Sequence, residues 1–437
     1  MQSFSKEFYI GAATAAHQVE GNNIHSDFWS MEQMKYSTFT EPSLDAVDHY
    51  NRYQEDIRLM AGAGLNSYRF SLEWARIEPQ EGVFDDTEAE HYLDVIRFCK
   101  EQHIEPIVTL HHFSSPKWLI SKGGWENPET ISFFTRYVDY IIRKIGSEIN
   151  FLCTINEANM GLQIAEISKR YRQQMMALAA QMKENPSAAS KEEGSVQIGL
   201  DLQKMMENQR YAAAENKEIF GIEKLETFTS ERTAEGDAIV CRAHEAARDL
   251  IKKLYPDMKV GLTLSLHDLQ TVEGGEQNAL EMWTDEFLHY LPYIQKDDFL
   301  GVQNYSRSII GPEGSRPVPA GSKLTQMNYE YYPQALEHVI RKVASSFPGD
   351  LIITENGVAV DDDTDRVAFI QQALQGVQNC LADSIPIKGY FYWSLMDNFE
   401  WQKGYSMTFG LIAVDRSTQQ RIPKESLHVL GSYCGRD

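Results

Sequence analysis

Short apolar runs rich in Val, Ile, Leu and aromatic residues recur at about 8–15, 66–71, 105–111, 151–156, 258–266, 299–304, 351–355 and 389–393. Each has the length and composition of a buried β-strand. Between most of them the apolar positions fall at helical spacing, as over Thr87 to Glu101, Glu129 to Gly146, Asp237 to Tyr255, Pro333 to Phe347 and Asp365 to Ala382. This alternation predicts parallel strands joined by crossover helices. Eight such units in 437 residues fit a single (β/α)8 TIM barrel spanning 1–437 better than an open doubly wound sheet. A Gly-x-Gly-x-x-Gly after the first strand, the mark of a dinucleotide site, is missing.

One segment breaks the rhythm. From about 161 to 235 the chain is too long for one crossover and carries Met175, Met176, Met182, Met205 and Met206 among Ala, Gln, Lys and Glu. Two or three amphipathic helices above strand 4, broken at Asn185-Pro186-Ser187, account for it. Its methionines read first as helix-packing residues, and more sharply as an adaptable apolar roof over a pocket.

Composition narrows the partners. A formal charge of -22 repels a phosphate backbone, which argues against nucleic acid. No stretch approaches the roughly eighteen apolar residues of a membrane span. The first residues, Met1 to Glu7, lack the basic and apolar regions of a secretory signal, so a cytoplasmic protein is expected. The five cysteines, Cys99, Cys153, Cys241, Cys380 and Cys434, are odd in number and scattered, which fits free thiols rather than a disulfide framework or a zinc motif. Metals and organic cofactors are not expected.

In a barrel of this kind the reactive groups sit at the C-terminal ends of the strands. There the sequence places Gln18 and Glu20, Arg69, His111 and His112, Asn156 and Glu157, Asn304 and Tyr305, Glu355, and Trp393. Glu157 ends strand 4 and Glu355 ends strand 7, so two carboxylates face one opening. A pair of carboxylates, one protonated and one ionised, is the minimal apparatus for cleaving a glycosidic bond. A gap of about 5 to 5.5 Å between them makes one a nucleophile with retention of configuration, and roughly 6.5 to 9.5 Å admits water and predicts inversion.

An inward-pointing Arg69 lowers the pKa of a neighbouring carboxylate. Of the adjacent His111 and His112, alternation puts one toward the pocket, and no metal-ligand spacing accompanies them. The segment Trp393 to Trp401 combines two indoles with Glu400, suiting a pyranose that has an apolar face and vicinal hydroxyls.

These residues resemble glycoside hydrolase family 1, the β-glucosidase family, from the first strand to the last loop. Phe8 to Gly21, reading FYIGAATAAHQVEG, looks like its N-terminal signature; Thr154-Ile155-Asn156-Glu157 and Ile353-Thr354-Glu355-Asn356-Gly357 look like its acid/base and nucleophile motifs. The resemblance implies a retaining β-glycosidase acting on terminal non-reducing β-D-glucosyl residues by double displacement, with β-galactosyl and β-fucosyl residues as further candidates. It makes Glu157 the acid/base and Glu355 the nucleophile. It gives Asn156 the 2-hydroxyl, and Arg69 and Tyr305 the orienting of Glu355. Gln18, His112, Trp393, Glu400 and Trp401 form the glycone subsite, Phe409 its far edge, and Tyr329 stands where a tryptophan platform for the leaving group is usual.

Departures from the family pattern are Ala158 after the acid/base glutamate, Asn304-Tyr305-Ser306 for Asn-Tyr-Tyr, and Phe113-Ser114 after the strand-3 histidine. Two rival readings are a 6-phospho-β-glucosidase and a catalytically silent sugar-binding relative. Glu400, Met407 and Phe409 stand against the first, since a carboxylate facing the 6-hydroxyl repels a phosphate. The presence of both Glu157 and Glu355 stands against the second. Glycone, aglycone and oligomeric state are not legible in the chain, which leaves a homo-oligomer open.

Overall fold

The computed structural model describes residues 3–184 and 202–435, with side chains described outside 173–207, 209 and 210. Eight strands form a closed barrel: β1 (Tyr9–Thr14), β2 (Ser67–Ser71), β3 (Glu105–His111), β4 (Phe151–Ile155), β5 (Lys259–Ser265), β6 (Phe299–Gln303), β7 (Asp350–Asn356) and β8 (Ile387–Trp393). Each pairs in parallel with its sequence neighbours, and β8 closes on β1 through Tyr9↔Gly389 to Ala13↔Trp393. All eight apolar runs are therefore barrel strands, with ends within two residues of the expected ones.

Both faces of every strand are covered, which is why the runs are nearly continuous in apolar residues rather than alternating. The crossover helices are α1 (His49–Ala63), α2 (Asp86–Glu101), α3 (Thr130–Ile145), α4 (Ala234–Leu254), α5 (Glu276–Glu286), α6 (Ala335–Ala344) and α7 (Asp363–Ala382), and α8 (Glu425–Gly431) follows the last strand. In α3 the residues Phe134, Tyr137, Val138, Ile141, Ile142 and Ile145 form one fully buried stripe. Side-chain caps explain where several helices begin: Asp85 accepts from Thr87 N at 2.8 Å and Asp362 from Thr364 N at 2.9 Å. The helix expected over Pro333 to Phe347 is shorter at both ends.

After β4 the insertion contains helices Met160–Glu184 and Leu202–Phe220. The expected break at Asn185-Pro186-Ser187 lies outside the described residues, as do the side chains of the five methionines. A small sheet of Asp268–Thr271, Arg307–Gly311 and Gly314–Ser315 follows strands β5 and β6. All five cysteines are buried thiols. No described helix is long and apolar enough to cross a membrane.

Candidate active site

The C-terminal ends of β2, β4, β5, β6 and β7 deliver one connected polar group. Arg69, fully buried on β2, donates from Nη1 to Glu355 Oε1 at 2.7 Å and from Nη2 to Asn156 Oδ1 at 2.6 Å. The Tyr305 hydroxyl donates to the other oxygen, Glu355 Oε2. Burial raises the Glu355 pKa, while the Arg69 charge and the two hydrogen bonds pull it back down. Breaking a buried ion pair by removing one partner typically costs about 3–5 kcal/mol, so Arg69 and Glu355 depend on each other.

Glu157 has the opposite surroundings. It sits one residue past Asn156 with φ of 44°, a left-handed conformation that a glutamate adopts only where its surroundings over-determine it. Here Glu157 N donates to Thr263 Oγ1 at 2.9 Å, and Ala158 N donates to the Thr263 carbonyl at 3.1 Å. Burial pushes its carboxyl well above the usual range, the Glu355 charge pushes further, and Arg69 opposes both. Oε2 of Glu157 is buried without a partner. In this coupled pair the proton rests on Glu157 and the charge on Glu355.

Asn156 is held so that only its amide nitrogen is free to work outward. Its Oδ1 accepts from Arg69, from Gln303 Nε2 at 2.7 Å and from Thr263 Oγ1 at 3.2 Å. Its Nδ2 therefore faces His112 Nε2, 3.1 Å away. Burial, with the Arg69 charge second, lowers the His112 pKa far below its ordinary value, so the ring is neutral. Since Nε2 accepts from Asn156, the ring proton is on Nδ1, which has no protein partner.

On the far side, Gln18 Nε2 donates to the Phe399 carbonyl at 2.8 Å and to Glu400 Oε2 at 3.3 Å. Burial raises the Glu400 pKa to about 8, against hydrogen bonds from Gln18 and Trp393. Protonated, the carboxyl is able to donate as well as accept. Aromatic rings wall this end: Trp401 lies parallel to His17 at 6.1 Å, and His112 lies 5.5 Å from Trp393. A Cβ on Gly357 would lie 1.9 Å from the Trp393 carbonyl oxygen, so only glycine lets β7 approach β8 there. Phe409 meets Tyr305 edge-on at 6.2 Å. Tyr329 is 5% exposed, and burial, with Glu400 second, raises the pKa of its unpartnered hydroxyl well above the ordinary value.

Three strand-end groups turn elsewhere. Glu20 pairs with Arg76 at 2.9 Å and accepts from Tyr92 at 3.0 Å. His111 bonds Ser115 Oγ at 3.0 Å and packs on Trp125 and Phe228. Asn304 donates to the carbonyls of Leu266 and Ser306 at 2.8 and 2.9 Å. Sequence reasoning missed Gln303, Thr263 and His17. Gln303 pairs in register with Glu355 across β6 and β7, a parity that Glu355 itself implied.

The buried polar atoms without a partner include Gln18 Oε1, His112 Nδ1, Glu157 Oε2 and Gln303 Oε1. Buried polar groups are normally satisfied, so this concentration at one barrel mouth marks a site for a ligand rich in hydroxyls. Two buried carboxylates in unlike environments lie beside it, as acid-base chemistry requires.

A sequence model described as glycosyl hydrolase family 1 matches residues 1–184 and 289–434. The chain belongs to that family. Solved structures agree. A β-glycosidase designated BGL167 is 41% identical over 99% of this chain and 97% of its own, with a TM-score of 0.84. A β-glucosidase designated 1317 is 35% identical over 98% of each chain, also at 0.84. A β-glycosidase from Pyrococcus horikoshii is 27% identical over 99% of this chain and 95% of its own, at 0.77. As a family 1 member the protein is a glycoside hydrolase.

Replacing Tyr305 by Phe in this glycosidase removes a hydrogen bond that lowers the Glu355 pKa. If Glu355 acts ionised, the acid limb of the pH–rate profile is expected to move to higher pH. A profile of kcat/KM against pH for both proteins measures the shift.

Proposed function

We propose that the chain is a retaining β-glycosidase that removes terminal non-reducing β-D-glucosyl residues by double displacement. The observation that supports this best is the asymmetry of the two carboxylates: Glu355 is charged between Arg69 and Tyr305, while buried Glu157 keeps a proton and a free oxygen. Glu355 attacks the anomeric carbon as Glu157 gives its proton to the departing oxygen. The ester consumes the Glu355 charge, which is one cause of the raised Glu157 pKa. Glu157 is then a stronger acid and, ionised, takes a proton from the water that hydrolyses the ester.

In this reading the Asn156 amide meets the 2-hydroxyl, with His112 Nδ1, Gln18 Oε1 and Glu400 receiving the other hydroxyls between Trp393, Trp401 and Phe409. Tyr329 borders the Glu400 end, and a leaving-group platform there has little exposed ring to offer. Gln303 acts through Asn156. Gln303→Leu frees the Asn156 amide to rotate and is expected to lower kcat/KM about 10- to 100-fold for a β-glucoside. A 2-deoxy-β-glucoside, lacking the hydroxyl in question, should lose much less.

The 6-phospho reading needs a different argument from electrostatic repulsion, because Glu400 is neutral below a pH of about 8. The side chains of Met407 and Phe409 provide no phosphate donor. The Lys424 ammonium is committed to Asp397 at 2.8 Å and to the Gly410 carbonyl. A silent sugar binder would have no use for the opposed ionisation of two carboxylates.

A panel of aryl β-glycosides differing at the 2-, 4- and 6-positions tests the proposal, with NMR reading the anomer released first. The glucoside is expected to turn over fastest, and its 6-phosphate poorly. First release of α-glucose would replace retention by inversion.

A further inference from the structure

Among the described residues, Asp237, Cys241 and His289 are the one group of three His, Cys, Asp or Glu side chains whose ligand atoms all lie within 4.8 Å of one another. They lie on α4 and in the turn Leu288–Tyr290. We propose that this group binds a zinc ion that ties α4 to that turn.

Asp237 and Cys241 are one turn apart on α4 and share a face. Asp237 Oδ2 is the hub: His289 Nε2 lies 2.6 Å from it and Cys241 Sγ 3.8 Å. The other oxygen, Oδ1, accepts from the Tyr290 hydroxyl at 2.6 Å. That is the outer partner which orients a ligating carboxylate. Zinc bonds of about 2.0 to 2.3 Å in a tetrahedron place neighbouring donors roughly 3.3 to 3.7 Å apart. The sulfur and oxygen, at 3.8 Å, are within about 0.1 Å of that spacing, while the imidazole, 2.6 Å from the same oxygen, has to draw back. The His289 side chain is 40% exposed, which gives it room and leaves a solvent-facing fourth position for water.

Thiolate, imidazole and carboxylate together favour zinc over magnesium or calcium, which take oxygen donors. Burial, with the Asp237 charge second, pushes the Cys241 thiol up, so a cation has to displace its proton. Binding releases that proton, and in the neutral imidazole the proton facing Asp237 moves to Nδ1. The charge of the group rises from minus one to zero. Arg232, which feels both Asp237 and Cys241, opposes this change. Glu245, next to Cys241, and Asp285, next to His289, favour it.

The test uses the full chain, stripped with a chelator and titrated with Co2+. A thiolate-to-cobalt charge-transfer band saturating at one equivalent and displaced by Zn2+ is expected. Cys241→Ser should abolish the band. His289→Ala should weaken Zn2+ binding by at least the roughly 100-fold that loss of an outer partner can cost. Both variants should hydrolyse an aryl glycoside normally, which shows that they fold. Absence of the band in the wild type, or its survival in folded Cys241→Ser, overturns the proposal.

Discussion

Glu355→Ala is expected to reduce turnover of an aryl β-glucoside on the order of 10⁴-fold or more, because the proposed nucleophile and the ester it would form are both lost. The environment of Glu355 makes the loss specific. Arg69 at 2.7 Å and the Tyr305 hydroxyl hold the Glu355 carboxylate at one place, and alanine leaves that place open while the proposed acid, Glu157, is kept. Azide should restore part of the rate by entering there. Attack from that face on a β-glycoside inverts the centre, so the product should be the α-glycosyl azide. NMR of the product decides the matter: recovery of the β-azide, or near-normal activity without azide, removes Glu355 from the nucleophile's role.

The two glutamates and Arg69 are legible as chemistry in the amino-acid sequence, because each ends an apolar run and a parallel barrel puts such residues at one mouth. What determines their ionisation is less legible. Gln303 sits beside Asn304 in the chain, and reading the motif on Asn304 points to a side chain that faces Leu266 and Ser306. The register of β6 against β7 settles which of the pair points inward. Glu20 illustrates the reverse error: its position suits a sugar ligand, but Arg76 and Tyr92, contributed by separate segments, draw it outward. His17 stacks on Trp401 from nearly the whole length of the chain away, a contact that no local pattern encodes. The raised pKa of Glu400 escapes the sequence for the same reason, since it comes from burial in the folded barrel, which the hydrogen bonds from Gln18 and Trp393 only partly offset.

Glu157→Ala should give a different signature, which turns on the leaving group. A substrate whose leaving group is already a good one, such as a dinitrophenolate, needs no proton to depart. Ester formation by Glu355 should then remain fast and the ester should accumulate, since water has lost its base. For an alkyl glycoside or a disaccharide both steps suffer, and kcat/KM should fall by about 10² to 10⁴-fold, the usual worth of general acid catalysis. Azide carries its own charge and needs no base. It should speed turnover of the activated substrate and yield the β-glycosyl azide, the opposite anomer from that expected of Glu355→Ala. The pH profile supplies an independent reading. On the proposed mechanism the wild type should lose activity as pH rises through the raised Glu157 pKa, whose causes are burial and the Glu355 charge. Removing the carboxyl should abolish that alkaline limb and leave the acid limb, which belongs to Glu355. If the alkaline limb persists unchanged in Glu157→Ala, another group delivers the proton.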